Sequence, residues 1–181
     1  ACTAQEVAAF ARRFPFEFTP GQKAAVNDIY ENCRSPHRMN RLLQGDVGSG
    51  KTAVALCSIY MAAKSGYQAA FLAPTEVLAA QNFALVQRYL PEYKAAFLAG
   101  STPAKEKREI KRALEAGEIS IVCGTHAVLQ EDVRPQNLAF CVCDEQHRFG
   151  VAQRSALNEK GAGADMLVMS ATPIPRTLSL I

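Results

Sequence analysis

The sequence predicts an α/β fold with a mainly parallel central sheet between two layers of helices, and three observations carry that prediction. Apolar runs of strand length recur along the chain and alternate with longer segments of helical composition. The runs are continuously apolar, as strands covered on both faces are. Each gives way to glycine and short polar residues, and in parallel sheets that edge, at the carboxyl ends of the strands, is where ligands bind. At 181 residues and 49% hydrophobic content, the chain has the size of one domain with a sizeable core.

The chain opens with helical composition over residues 4–13, stopped by Pro15. With no initiator Met ahead of it, this stretch reads as the end of a preceding region. Residues 1–15 are therefore assigned to an N-terminal helix and linker, and residues 16–181 to the domain proper. Phe16, Glu17 and Phe18 lead into Thr19, Pro20, Gly21 and Gln22, which have the form of a capping box. A helix of about ten residues is expected to follow, with Gln22 as its structural cap.

Leu42 and Leu43 mark a first strand, and Ala53 to Cys57 have helical composition. Between them, Gly45, Asp46, Val47, Gly48, Ser49, Gly50, Lys51 and Thr52 follow the pattern of a glycine, four free positions, then Gly-Lys-Thr. The glycines let successive amides turn inward on one anion, and the next helix adds its positive end. Lys51 would place a point charge on the β- and γ-phosphates of a nucleotide, and the Thr52 hydroxyl would take one coordination site of a bridging Mg2+.

Gly66 closes the turn after this helix, and Gln68 to Ala73 reads as a second strand. Pro74 and Thr75 start a helix that runs to about Leu90 and is ended by Pro91. Tyr93 to Leu98 is a third strand, leading to Gly100 and Ser101. Thr102 and Pro103 are expected to cap the next helix, which Gly117 ends. Its Lys105, Lys107, Arg108, Lys111 and Arg112 are interleaved with Glu106, Glu109 and Glu115, so it reads as a solvated face with Ile110 and Leu114 on the buried stripe. Ile119 to Cys123 is a fourth strand ending in Gly124, Thr125 and His126. Leu138 to Cys143 is a fifth, ending in Asp144, Glu145, Gln146 and His147, and Met166 to Met169 a sixth, ending in Ser170, Ala171 and Thr172.

A phosphate loop needs a carboxylate to hold Mg2+ through its waters, and Asp144 stands where such folds supply one. Glu145 could orient an attacking water and accept its proton. His126 and His147, taken singly, read as hydrogen-bonded structural residues, and Glu76 as a plain surface charge. The six cysteines favour a reduced interior over disulfides, because Cys123, Cys141 and Cys143 lie inside apolar runs. No second close Cys/His pair completes a zinc site with Cys141 and Cys143. The net charge of +3 is too small to demand a nucleic-acid partner, so any such surface must be local. No apolar run reaches the roughly 18 residues of a membrane span, and a cytoplasmic protein is expected.

Taken in order, residues 45–52, 73–76, 124–126, 144–147 and 170–172 resemble the successive motifs of superfamily 2 helicases. Residues 39–52, 144–150 with Gln153 and Arg154, and 170–177 are similar to the branch of bacterial translocases that act on branched DNA. The resemblance implies a three-layer α/β/α RecA-like P-loop NTPase domain, the first of two motor lobes. It implies ATP and Mg2+ as cofactors, with Lys51 and Thr52 on phosphates and metal and with Asp144 and Glu145 coordinating Mg2+ and activating water. Gln146 and His147 would sense the γ-phosphate, and Ser170 and Thr172 would relay its loss. Gln22 falls where the family places an adenine-recognising glutamine, so cap and ligand both stay open for it. Pro74, Thr75, Gly100, Ser101, Thr125 and His126 would touch a DNA backbone through amides and hydroxyls, which needs no large positive charge.

The partners implied are branched or duplex DNA, a second RecA-like lobe and a wedge domain of the same protein, and no membrane. The chain stops at Ile181, before that second lobe and its arginines, so alone it is expected to bind nucleotide weakly, hydrolyse it poorly and unwind nothing. A transcription-repair coupling translocase is the nearest alternative, disfavoured by Gln146. A non-hydrolysing nucleotide-binding module is disfavoured by intact Lys51, Thr52, Asp144 and Glu145. A small-molecule kinase would leave the Ser170 to Thr172 motif unexplained.

Overall fold

Six apolar segments form the parallel part of one sheet in the computed structural model, which describes residues 1–45, 50–144, 164–170 and 179–180. They are β1 (Asn40–Gln44), β2 (Gln68–Leu72), β3 (Ala95–Leu98), β4 (Ile121–Gly124), β5 (Leu138–Asp144) and β6 (Asp165–Ser170). The sheet order is β3-β4-β2-β5-β6-β1-β7, and β7 (Ser179–Leu180) joins antiparallel beside Leu43 and Gln44. All six strands read from the sequence are present. β7 has no counterpart there, because two residues carry no periodicity.

The helices are α1 (Ala4–Ala11), α2 (Pro20–Arg34), α3 (Lys51–Lys64), α4 (Glu76–Tyr89) and α5 (Ala104–Glu115), with a 3-10 turn over His126–Leu129. Right-handed crossovers decide which face each one covers. The connections β1 to β2 and β2 to β3 both progress toward the β3 edge, whereas β3 to β4 turns back, so α5 must lie opposite α3 and α4. The core divides accordingly. Leu43, Phe71, Ile121, Phe140, Val142 and Leu167 pack with α1 to α4 on one face. Ala70, Leu72, Val122, Cys141 and Val168 pack with Leu114 and Val128 on the other. Alternate residues of each strand thus enter different layers, the geometry expected of a sheet buried on both sides.

Helix α3 is the most enclosed of the described helices, with every residue from Ala53 to Ala63 buried. The sheet covers one side of it and α1 and α2 cover the rest. Phe10 of α1 stacks on Tyr60 of α3 with ring centroids 4.4 Å apart, and Phe14 stacks on Tyr89 at 4.3 Å. The Arg13 guanidinium grips both oxygens of Glu92 at 2.8 and 2.7 Å and donates to the Tyr89 carbonyl at 2.8 Å. Val7, Phe10 and Phe14 therefore belong to the same core as the sheet.

Local chemistry sets the ends. Thr3 and Glu6 form a capping box for α1, and Thr19 and Gln22 form the one foreseen for α2, which runs 15 residues where about ten were expected. Gly66 and Gly117 take positive φ of 86° and 77° at the ends of α3 and α5. Thr102, expected as a cap for α5, is not one: Pro103 holds the cap position, while the Thr102 hydroxyl turns inward to accept the Ala99 N–H at 3.0 Å. The polar face of α5 is solvated as read, with Arg112 held between Glu109 and Glu118. Cys57, Cys123, Cys141 and Cys143 are buried, reduced cysteines, and burial pushes Cys57 and Cys123 up to about 12. Among the described residues no helix is long and apolar enough to cross a membrane.

The docking of α1 predicts a large effect from one truncation. Phe10 is 1% exposed, and Phe10→Ala should cost about 3 kcal/mol or more in urea unfolding. A loss below about 1 kcal/mol would mean that α1 rests on the surface without contributing to the core.

Candidate functional site

The loop after β1 is tied down at both described ends to one carbonyl. Gln44 lies opposite Ser170 in the parallel register of β1 and β6. One residue on, the Gly45 N–H donates to the Ser170 carbonyl at 3.1 Å. Lys51, the first residue of α3, donates from Nζ to that same oxygen at 3.0 Å. Gly50 bridges loop and helix in the left-handed conformation, with φ of 89°, and Thr52 sits half-buried in the first turn. A lysine ammonium and the amino end of a 14-residue, largely buried helix thus meet at the carboxyl edge of the sheet, an arrangement that suits a phosphate. β5 ends alongside, with Asp144 opposite Met169 of β6.

Of the other residues expected here, Asp46, Val47, Gly48, Ser49, Glu145, Gln146, His147 and Thr172 lie outside the described residues, and of Asp144 the backbone alone is described. What the structure does bring together is Gly45, Gly50, Lys51, Thr52 and Ser170, with the end of β5 beside them.

Gln22 has a task beyond capping. Its Oε1 accepts the Thr19 N–H at 2.8 Å, completing the box, while its Nε2 donates to the Gly50 carbonyl at 3.2 Å. The side chain is 3% exposed. Glycine is required at Gly50 by φ, and a Cβ there would come within 1.8 Å of Gln22 Nε2, so the Gln22 amide would have to leave its seat. This brace between α2 and the phosphate-loop helix spans 28 positions and has no sequence signal; only the box that fixes Gln22 is legible.

The second set of expected residues lines the other half of the same edge. β3, β4 and β2 are neighbours, so the segments after them stand in a row. Pro74 and Thr75 follow β2, Gly100 and Ser101 follow β3, and Thr125 and His126 follow β4. Thr75, Gly100, Ser101 and His126 are exposed and Pro74 is half-buried. Thr125 is 2% exposed and its hydroxyl faces inward, accepting from the Ala127 N–H. Thr75 caps α4 by accepting the Leu78 N–H at 3.2 Å.

Glu76 is more than the plain surface charge expected of it. Its carboxylate accepts the Ser101 N–H at 3.0 Å and the Ser101 hydroxyl at 2.6 Å, joining the start of α4 to the loop after β3. Lys107 Nζ donates to the Gly100 carbonyl at 2.8 Å. The Ser101 hydroxyl, then its amide, hold the Glu76 carboxyl below the usual glutamate range. Sequence reading missed this clamp because the partners are 25 positions apart and polar, and polar pairs leave no periodic trace.

Residues 19–181 match the DEAD/DEAH box helicase family. The ATP-dependent DNA helicase RecG of Streptococcus pneumoniae is 48% identical over 97% of this chain, and that of Staphylococcus aureus 47% over the same share. The chain spans 26% of the length of these curated relatives. Among solved structures, RecG bound to a three-way DNA junction superposes with a TM-score of 0.84 at 42% identity, covering 97% of this chain and 24% of that one. The UvsW helicase of bacteriophage T4 shares the fold, with a TM-score of 0.65 at 14% identity over 93% of this chain and 60% of its own.

Two measurements follow from the braces. Gly50→Ala should cost about 2 kcal/mol or more in thermal unfolding, since it adds left-handed strain and expels Gln22 from its seat; an unchanged melting curve would contradict the brace. The Glu76 carboxyl, followed by NMR, should titrate below an ordinary glutamate and move back up in Ser101→Ala. Because its pKa is depressed, the clamp is intact at neutral pH and is lost as pH falls through the folded value. An ordinary titration in both proteins would contradict it.

Proposed function

This chain belongs to the DEAD/DEAH box helicase family, and on that premise we propose that it is the ATP-binding motor lobe of a cytoplasmic helicase that remodels branched DNA in recombination and repair. The observation that most supports this reading is the division of one sheet edge. The phosphate-loop elements occupy the ends of β5, β6 and β1, and a separate row of exposed polar loops occupies the ends of β2, β4 and β3. A motor needs both, close enough to communicate and far enough apart to bind different polymers.

In this reading Gly45 to Thr52 would cradle the ATP phosphates, with Lys51 supplying a charge to the β- and γ-phosphates, and Thr52 and Asp144 would hold Mg2+. That ion would neutralise charge on the phosphates as they separate. Glu145 accepts the proton of the attacking water, and Gln146 and His147 contact the γ-phosphate. Gln22 reads adenine by exchanging the bond from its Nε2 to the Gly50 carbonyl for one to the base. Ser170 and Thr172 couple the site to DNA. The bond from Lys51 to the Ser170 carbonyl supports that coupling, since phosphate that draws the ammonium away releases a contact on the end of β6. Pro74, Thr75, Gly100, Ser101, Thr125 and His126 form the DNA surface through backbone and hydroxyl contacts.

The full protein carries a second RecA-like lobe and a wedge domain beyond this chain. Residues 16–181 form lobe 1, and residues 1–15 are an N-terminal helix and linker whose Val7, Phe10 and Phe14 pack into its core. Arginines of the second lobe complete the ATP site and contribute a factor of about 10^3 or more, so the isolated lobe turns over slowly and does not unwind.

ATP hydrolysis by the full-length protein should rise when branched DNA is added and fall about a hundredfold or more in Lys51→Ala and Glu145→Gln. Equal rates with and without branched DNA, in a protein that binds nucleotide, would refute the assignment.

A further inference from the structure

The row of loops assigned above to DNA already holds an anion. The Ser101 N–H and hydroxyl each take one oxygen of the Glu76 carboxylate, at 3.0 and 2.6 Å. A main-chain amide and an adjacent hydroxyl that grip two oxygens of one planar anion are equally suited to two oxygens of a phosphate. The surroundings favour negative charge from several directions. Glu76 is the first residue of α4, at the helix's positive end. Lys107, anchored on the Gly100 carbonyl, and His126 of the next loop both lie near enough to stabilise the Glu76 charge. The clamp itself is on the surface: Glu76, Gly100 and Ser101 are all exposed.

We propose that the Ser101 amide and hydroxyl form a slot for one phosphate of the DNA backbone, and that Glu76 is its built-in competitor, a carboxylate stand-in that DNA must displace. The proposal rests on the reading of these loops as DNA contacts and adds to it a regulating residue. Displacement needs only rotation about the Glu76 side-chain torsions, since the Thr75 cap keeps α4 in place. Lys107 and His126 remain behind to meet the phosphate. A backbone held firmly by its other contacts wins the slot, whereas a loosely held one loses to the tethered carboxylate, so Glu76 raises the threshold for productive engagement.

Fluorescence anisotropy with a labelled branched DNA tests this in the full-length protein, using wild type, Glu76→Gln, Ser101→Ala and the double variant, with melting curves to confirm that each is folded. Glu76→Gln removes the charge and keeps the shape, so DNA affinity should rise about fivefold, the size of one partly screened repulsion. Ser101→Ala should weaken binding, and in that background the gain from Glu76→Gln should largely vanish. If Ser101→Ala weakens binding while Glu76→Gln weakens it or leaves it unchanged, Glu76 positions the loop and the competitor proposal is overturned, with the DNA reading intact. A gain of the same size in the Ser101→Ala background would place the effect in general charge and overturn the slot. If neither single variant alters binding, the assignment of these loops to DNA falls together with the proposal.

Discussion

A parallel strand buried on both faces cannot return to its neighbour by a hairpin, and that constraint organises this molecule. A strand that leads to a parallel neighbour must be followed by a crossover that starts at the carboxyl edge, so the chain leaves the parallel strands on one side of the sheet. The handedness of the crossovers then sorts the helices. Those moving toward β3 cover one face and the one turning back covers the other, leaving the edge open between the layers. Which residues meet along the edge follows from sheet order and not from sequence order. Gly45 meets Ser170 because β1 pairs with β6, and Thr75 stands near Ser101 and His126 because β2, β4 and β3 are adjacent.

Within that frame, the junction of β1 and α3 is held by few interactions, each serving two elements. Ser170 offers one carbonyl to both Gly45 and Lys51. Gln22 caps its own helix and braces Gly50, whose left-handed backbone and lack of a side chain make the approach possible. Such shared contacts couple the position of α3 to the end of β6 and to α2. The extensive burial of α3, and its aromatic contact with α1, make it the rigid member of the junction.

Much of the fold was legible because burial writes itself as pattern. The six apolar runs, the capping box at Thr19 and Gln22 and the terminating Gly66 and Gly117 could all be read from the sequence. Features that depend on pairs distant in sequence could not. The Glu76–Ser101 clamp and the Gln22–Gly50 brace are polar contacts between elements whose proximity only topology creates. Thr102 misled for a different reason: a Thr-Pro pair before a helix is also a cap signature, and here the inward Ala99 N–H competes successfully for the hydroxyl. The packing of α1 was hidden because a short apolar helix at a chain's beginning looks the same whether it docks or leads elsewhere. Half of the candidate nucleotide set lies outside the described residues, so its legibility rests on motif and family alone.

The central claim is that one sheet edge is divided between nucleotide and DNA. Hydrogen exchange on the full-length protein, with an ATP analogue and with branched DNA added separately, tests it most directly. The division predicts that nucleotide protects residues 42–54 and 164–170 most strongly, and that DNA protects residues 74–78, 98–102 and 124–128 most strongly. Strongest protection of the β2, β4 and β3 loops by nucleotide, or of the β1–α3 junction by DNA, would contradict it.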